Sequence, residues 1–101
     1  MNIEKNSIIA KRYAKSLLDL SKEDGFSKEE ILESLQNAQT ILKSSSDLFN
    51  VMTNPIISAK NKEDIIDEVF AKDVNKTIRN TLKLLINKNR FNLIYSIVQI
   101  F

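Results

Sequence analysis

Residues 78–91 read IRNTLKLLINKNRF, a basic stretch that carries apolar side chains at helical spacing. When the stretch is wound at about 100° per residue, one face collects four apolar side chains, Ile78, Leu82, Leu85 and Ile86. Leu84 lies outside that face, beside the polar residues Thr77, Thr81 and Lys88. An apolar side chain on a polar face is either a second internal contact or a partner's binding site. The sequence leaves both alternatives open at Leu84.

The composition favours a single all-α domain. The 101 residues are 43% hydrophobic and 28% charged, as in a folded protein with a modest core. One Gly and one Pro are too few for the turns of a sheet-rich fold. The absence of Cys and His removes disulfides, thiolate nucleophiles, imidazole bases and most zinc sites. We expect no catalytic, metal or cofactor residue. A catalytic Ser–Lys pair stays open, but roles as helix caps and polar surface explain the candidate serines better, namely Ser7, Ser16, Ser21 and Ser27.

Charge is distributed unevenly along the chain. Residues 1–22 carry a net charge of +3, residues 23–70 carry −6 and residues 71–101 carry +5, which gives the overall +2. One explanation is that the basic ends pack beside the acidic middle, and the other is a basic docking surface built from both ends. No apolar run reaches the ~18 residues that span a bilayer. The first residues lack the pattern of a signal or transit peptide, so a soluble cytoplasmic protein is expected.

The first predicted helix, over residues 7–22, has more apolar surface than one neighbour requires. Its apolar side chains cover about 180° of the helical wheel, whereas a surface helix needs about 100°. Small side chains beside larger ones would let another helix approach closely, at Ala10, Tyr13, Ala14 and Leu17. This helix therefore has two apolar neighbours, which are either other helices of the bundle or one such helix and a partner.

Capping residues predict where the first two helices begin and end. The first is expected to begin at Asn6 or Ser7, whose side chains accept a bond from a first-turn N–H. It is expected to stop at Gly25, which tolerates a left-handed turn. The second is expected to begin at Ser27, which forms a capping box with Glu30.

Four further helices are predicted after the second one. The third covers residues 47–52 with Ser46 as its cap, and a break at Asn54-Pro55 follows. The fourth begins at Ser58 and points four apolar side chains inward, Ile65, Ile66, Val69 and Phe70. The fifth is capped by Asp73, carries the stretch described above and ends in a left-handed Asn89.

The sixth predicted helix, over residues 90–101, is apolar on most sides and must be buried by something. A longer protein whose second domain is missing would explain it. The alternative is a last helix inserted at the centre of the bundle. With this helix the sequence predicts a compact six-helix bundle.

Three segments carry a family pattern: residues 9–20, IAKRYAKSLLDL; residues 54–62, NPIISAKNK; and residues 80–91, NTLKLLINKNRF. In this order and spacing they resemble the delta subunit family of bacterial F-type ATP synthases, whose mitochondrial counterpart is the oligomycin-sensitivity-conferring protein. Two positions depart from the family pattern. Asn89 stands where Gly is frequent, and Thr81 stands where an aromatic residue is common, so that the groove wall there is expected to be shallower.

The resemblance implies that residues 1–101 are the N-terminal domain of such a subunit, without the C-terminal domain that binds stalk subunit b. It implies a non-catalytic stator protein that grips the N-terminal helix of an α subunit between its first and fifth helices. Such a protein links the catalytic head to the peripheral stalk for proton-driven ATP synthesis. It would lie at the cytoplasmic face of the cell inner membrane and touch the membrane only through the complex.

Carried onto this chain, the resemblance implies a groove with walls from both helices. The first helix would contribute Ala10, Tyr13, Ala14 and Leu17. The fifth would contribute Thr77, Ile78, Thr81, Leu84, Leu85 and Lys88. Nearby lysines would steer an amphipathic helix with acidic positions, namely Lys11, Lys15, Lys83 and Lys88.

Two rival hypotheses remain. An RNA-binding helical module would use the basic first and fifth helices, with an affinity that falls steeply with salt. The chain lacks the Arg-rich runs and interleaved exposed aromatics typical of such modules. An inert helical scaffold would bind neither RNA nor an α-subunit peptide.

Overall fold

The computed structural model describes the backbone of residues 3–101 and the side chains of residues 7–101. All regular elements in this part of the chain are helical, which confirms the all-α prediction. They are α1 (Ile3–Glu23), α2 (Lys28–Ser44), α3 (Ser46–Thr53), α4 (Ala59–Val69), α5 (Lys76–Asn87), a 3-10 turn (Phe91–Leu93) and α6 (Ile94–Ile100). The Cα radius of gyration of 12.8 Å corresponds to a compact bundle.

Several helix ends lie where the capping residues predict them. The Ser27 hydroxyl accepts a hydrogen bond from the Glu30 backbone N–H, and the Glu30 carboxylate accepts one from the Ser27 backbone N–H, each at 3.1 Å. The Ser58 hydroxyl accepts from the Asn61 N–H at the start of α4. Gly25, with φ of +83°, and Asn89, with φ of +56°, close α1 and α5 in the left-handed region.

Three predicted helix starts are wrong. Helix α1 begins at Ile3, so Asn6 and Ser7 lie inside it, because no Gly or Pro interrupts the helix before them. Helix α3 is capped by Ser45, whose hydroxyl accepts from the Leu48 N–H at 3.3 Å, and not by Ser46.

Helix α5 is capped by Asn75 and not by Asp73. The Asn75 side chain accepts from the Ile78 N–H at 3.0 Å. The Val74 N–H donates to the Phe70 carbonyl at 3.0 Å, so the chain still turns beyond α4 at Asp73. A cap needs extended backbone geometry, and Asn75 is the residue that has it.

The core runs through the middle of the bundle, where α1 packs against α2, α5 and α6, and α4 packs against α5. Its largest fully buried side chains come from every helix, Leu17, Ile31, Leu35, Leu42, Met52, Ile66, Phe70, Ile78, Leu82, Leu85, Ile94 and Ile97. Val69 was expected inside but is 41% exposed. Because α4 packs mainly against one helix, only its narrow Ile66–Phe70 row is covered completely.

The last segment is not one continuous helix. Arg90 has non-helical backbone angles, the 3-10 turn follows, and α6 begins only at Ile94. The break turns both Phe91 and Leu93 into the core. Helix α6 then packs against α1 and α2 and buries Ile94 and Ile97 completely. Much of its apolar surface is therefore covered within the bundle itself.

Aromatic stacking joins α3 to the last segment. The Phe49 ring lies 5.5 Å from the Tyr95 ring, nearly parallel to it, and 6.1 Å from the Phe91 ring. The Lys43 ammonium lies 5.6 Å from the centre of the Tyr95 ring. Burial raises the pKa of Tyr95 above its ordinary value of 10.0. These contacts join α2 and α3 to the last segment of the chain.

The left-handed turn at Asn89 gives a first prediction. Asn89→Val should lower the free energy of unfolding by about 1–2 kcal/mol, because a β-branched side chain is strained at positive φ. Asn89→Gly should stay within about 0.5 kcal/mol of the parent, since Gly adopts this conformation without strain. Urea unfolding followed by circular dichroism measures both. Equal stability of the two variants would contradict the backbone assignment.

A second prediction compares two apolar residues of α4. Ile66→Ala should cost about 2–5 kcal/mol, because it removes atoms from a fully buried position and leaves a cavity. Val69→Ala is the control on the same helix and should cost less than about 1 kcal/mol, because Val69 is partly exposed. Urea unfolding followed by circular dichroism compares the two variants. A larger loss for Val69→Ala would show that α4 packs through its other face.

Candidate functional site

Helices α1 and α5 lie side by side and run antiparallel, as two side-chain hydrogen bonds show. At one end, the Thr77 hydroxyl at the start of α5 donates to the Asp24 carboxylate just beyond α1. At the other end, the Arg90 guanidinium beyond α5 donates to the Tyr13 hydroxyl in the middle of α1, at 3.3 Å. The surface between these two contacts is called the α1–α5 face below. It is the place where the sequence predicts a groove.

The ten residues predicted to line the groove divide into two sets. Leu84, which is 46% exposed, Lys88, which is exposed, and the half-buried Tyr13 reach the surface. The other seven are buried, with exposures between 0% and 8%: Ala10, Ala14, Leu17, Thr77, Ile78, Thr81 and Leu85. The first set can meet a partner directly, whereas the second set can only support the surface from below.

Three of the predicted wall residues lie wholly beneath the surface. Ala10, Ile78 and Leu85 have no exposed surface, so a partner cannot touch their side chains in this conformation. The reason is that both helices have several neighbours within the bundle: α1 packs against α2, α5 and α6, and α5 packs against α1, α2 and α4. Much of the wide apolar arc of each helix is therefore core, which was the alternative left open by the sequence.

The sequence left two alternatives for Leu84, a second internal contact and a binding site on the surface. The Leu84 side chain is exposed, whereas its neighbour Leu85 is fully buried. The helical wheel places Leu84 outside the buried face, and its exposure agrees with that placement. Leu84 is therefore a surface residue, not a second core contact.

Sequence reasoning missed Leu20 as a member of this face. Leu20 is 45% exposed and lies seven residues after Tyr13 and four before Asp24, so it lies on the same side of α1 as both. The half-buried Ile9 precedes Tyr13 by one turn on this side. The i, i+4, i+11 spacing of Ile9, Tyr13 and Leu20 was the available signal. It was lost because these residues counted toward one broad apolar arc.

Two threonines can be almost buried between the helices because their hydroxyls have partners. The Thr77 hydroxyl donates to Asp24, and the Thr81 hydroxyl donates to the Thr77 carbonyl at 3.0 Å. A buried hydroxyl without a partner would cost about 1–3 kcal/mol. With both hydroxyls bonded, the seam between α1 and α5 is closed below the surface.

On the side of α5 that faces away from α1, its basic side chains pair with a carboxylate of α4. The Lys83 ammonium lies 2.7 Å from one oxygen of the Asp67 carboxylate, and Arg79 lies 3.6 Å from the other. The Asn87 side chain donates to the Glu63 carboxylate at 3.3 Å. Lys83 was expected to steer a partner, but it is held on the far side of the helix.

The other exposed basic residues of α1 and α5 are scattered over both helices. Lys88 and Arg90 lie where α5 ends, and Lys22 and Lys76 lie at the opposite end of the α1–α5 face. Lys11 and Lys15 are exposed on the side of α1 opposite Tyr13. With Lys83 and Arg79 paired to Asp67, the two helices do not present one continuous basic surface. This argues against the RNA-binding hypothesis, which needs such a surface.

The sequence also raised the question of a metal site and of a Ser–Lys pair. Among them no group of three or more carboxylate, His or Cys side chains could hold a metal ion. Two of the serines considered for a Ser–Lys pair have other roles: the Ser21 hydroxyl donates to the Leu18 carbonyl at 2.6 Å, and Ser27 caps α2. Within residues 3–101 no helix is long and apolar enough to cross a membrane.

The fold and the face define a small all-α domain with a partly exposed apolar seam between two antiparallel helices. The family profile of the ATP synthase delta (OSCP) subunit matches residues 9–101, and so contains both of these helices almost completely. The chain belongs to the ATP synthase delta (OSCP) subunit family. The resemblance inferred from the three sequence segments is thereby confirmed.

Individual relatives agree with the profile. The chain is 34% identical over 92 residues to the chloroplastic ATP synthase subunit delta of Trieres chinensis. The aligned region covers 91% of this chain and 49% of that protein. The chain is 31% identical over 87 residues to the ATP synthase subunit delta of Clostridioides difficile, which covers 85% and 48% respectively. The chain therefore spans about half the length of the curated relatives it matches.

The contrast between Leu84 and Leu85 gives a third prediction. Leu84→Asp should lower the free energy of unfolding by about 1 kcal/mol or less, because the side chain is already half in water. Leu85→Asp should unfold the domain, because it places a carboxylate where there is no water. Thermal unfolding of both variants measures the difference. A similar loss in both would show that Leu84 belongs to the core.

Proposed function

We propose that this chain is a non-catalytic stator subunit of an F-type ATP synthase, and that its α1–α5 face binds the N-terminal helix of an α subunit. The observation that carries the proposal is that Leu84 on α5 and Leu20 on α1 are both exposed, on two adjacent helices of a chain of the delta family. Such a subunit would hold the catalytic head to the peripheral stalk. Rotor torque would then drive ATP synthesis instead of turning the head.

The apolar part of the face supports binding of a helix in particular. An amphipathic helix lies in a shallow apolar channel and buries side chains at i, i+3, i+4 and i+7. Leu84 from α5 and Leu20 from α1 would form the two sides, and the buried Leu17 and Leu85 would keep the floor rigid. Each Å² of apolar area covered contributes about 25 cal/mol before the cost of association. Two half-exposed leucines and a tyrosine are thus a small contact that needs a good fit.

The charge around the face supports an acidic partner. Lys11 and Lys15, which were expected to steer a partner, lie on the opposite side of α1 from Tyr13 and Leu20. Lys88 and Arg90 are exposed at the end of α5, and neither has a carboxylate within 4 Å among the described side chains. Exposed charges of this kind contribute more to the association rate than to affinity. An α-subunit helix with acidic positions beside its apolar stripe would match them.

We also propose that residues 1–101 form the N-terminal helical domain of a longer subunit. The length of the relatives supports this proposal, since the chain corresponds to about half of each. The other half would bind stalk subunit b. The whole would lie at the cytoplasmic face of the inner membrane and contact the membrane only through the complex.

A peptide titration tests the proposed partner. The probe is a synthetic peptide of about 20 residues from the N-terminus of the α subunit of the same organism, which as a helix is about 30 Å long. The parent chain should bind it with a measurable heat by calorimetry. Leu84→Asp should weaken binding at least about tenfold, because docking would bury a carboxylate in an apolar contact.

Ile56→Asp is the matched control for this titration. Ile56 is 90% exposed in the turn between α3 and α4, so the substitution adds the same charge at an apolar position outside the α1–α5 face. It should leave the affinity unchanged. Equal effects of both substitutions, or no binding by the parent chain, would overturn the proposal. Salt-sensitive binding of single-stranded RNA in its place would favour the RNA-binding hypothesis.

A further inference from the structure

Arg90 and Tyr13 form a polar contact at one end of the α1–α5 face. They are 77 residues apart in the sequence, and their hydrogen bond of 3.3 Å joins the segment after α5 to the middle of α1. The root of the Arg90 side chain is fixed, because its backbone N–H donates to the Leu85 carbonyl at 2.7 Å. The left-handed Asn89 just before it sets the direction of the chain. The guanidinium is therefore held beside the phenol by the helix end itself.

The contact leaves hydrogen-bond donors of both partners unused. The Tyr13 oxygen accepts the Arg90 N–H, so the phenolic proton stays available to a further acceptor. The guanidinium has five N–H groups and only one is used in this bond. Among the described side chains no carboxylate pairs with Arg90, whereas Arg79 and Lys83 share Asp67. Arg90 is exposed, so it keeps a full positive charge at the surface.

We propose that Tyr13 and Arg90 form a carboxylate-binding fork that takes an Asp or Glu side chain of the docked α-subunit helix. This inference rests on the proposed function and names the residues that would determine its specificity. An arginine and a hydroxyl side by side offer parallel donors to the two oxygens of one carboxylate. The bond has a direction, which the apolar contacts lack.

The fork would fix the register of the partner helix. Tyr13 and Leu20 are seven residues apart, so the apolar surface of α1 repeats after two helical turns. A partner helix shifted along this surface would still find apolar contacts. Among the described residues the pairing of Tyr13 with Arg90 lies at one end of the face, and the other end carries the Asp24 carboxylate with the exposed Lys22 and Lys76. An acidic side chain would therefore find the paired donors of the fork at one end alone.

The test combines variants of the chain with variants of the peptide. Each Asp or Glu of the α-subunit peptide is replaced singly by Asn or Gln, and each peptide is titrated against the parent chain and Arg90→Gln. For one acidic position, the parent should lose affinity about three- to tenfold when the charge is removed. For that position Arg90→Gln should show no further loss. Tyr13→Phe should reduce the preference for the carboxylate without removing it.

Lys83→Gln is the matched control, because it removes the same charge from α5 on the side that faces Asp67. It should leave the preference for the carboxylate intact. If Arg90→Gln and Lys83→Gln weaken binding equally for every peptide, only net charge matters and the fork is overturned. If the parent chain does not bind the peptide at all, the proposed function fails and the fork with it. If the parent chain binds the peptide and Arg90→Gln binds every peptide variant with the same affinity as the parent, the fork alone is overturned.

Stability measurements distinguish a purely structural role of the Arg90–Tyr13 bond from a role in binding the carboxylate. Arg90→Gln and Tyr13→Phe should each unfold within a few degrees of the parent, because both side chains lie at the surface and the contact is a single hydrogen bond. Arg90→Lys should keep part of the affinity and show a smaller preference for the Asp over the Asn peptide, since an ammonium keeps the charge but lacks the planar fork. A large loss of stability in Arg90→Gln together with retained discrimination would contradict the proposal.

Discussion

The position of α5 between α1 and α4 determines most of what the surface offers. Ile78, Leu82 and Leu85 are fully buried in the core, and the Asp67 carboxylate of α4 holds α5 on its far side. The Thr77–Asp24 bond joins it to α1. Three sides of the helix are thus committed to the bundle. The sector of α5 that is left exposed carries Leu84 together with polar residues, Lys76, Asn80, Asn87 and Lys88. The exposure of Leu84 is therefore a consequence of packing on the other sides.

The same arrangement explains the uneven charge of the sequence. Part of the acidic middle does neutralise a basic end, because Asp67 on α4 pairs with Arg79 and Lys83 on α5. These exposed pairs contribute little stability, typically below about 1 kcal/mol each. Their effect on function is larger, since they remove basic side chains from the surface on one side of α5. The exposed basic residues of this region that lack such a pairing are Lys76 at the start of α5 and Lys88 and Arg90 at its end.

Local rules predicted some features and missed others for a definite reason. The Ser27 capping box, the left-handed Gly25 and the left-handed Asn89 depend on residues close in sequence, and the structure has all three. The caps at Ser45 and Asn75 were missed because neighbouring residues of the same chemical type compete for the position. The side chain that wins depends on how the preceding turn is anchored, which is a tertiary effect. The exposure of Val69 has a similar origin, since it depends on the number of helices beside α4.

The sequence by itself determined that the protein is helical, which residues form the apolar arcs and which family the chain resembles. These follow from periodicity and motif order, which are properties of neighbouring residues. Only the tertiary structure decided how each arc is divided between core and surface. Ala10, Ile78 and Leu85 lie beneath the proposed binding face, whereas Leu20 and Leu84 lie on it. The physical reason is that burial depends on the neighbours of a helix, and one wheel cannot show how many neighbours there are.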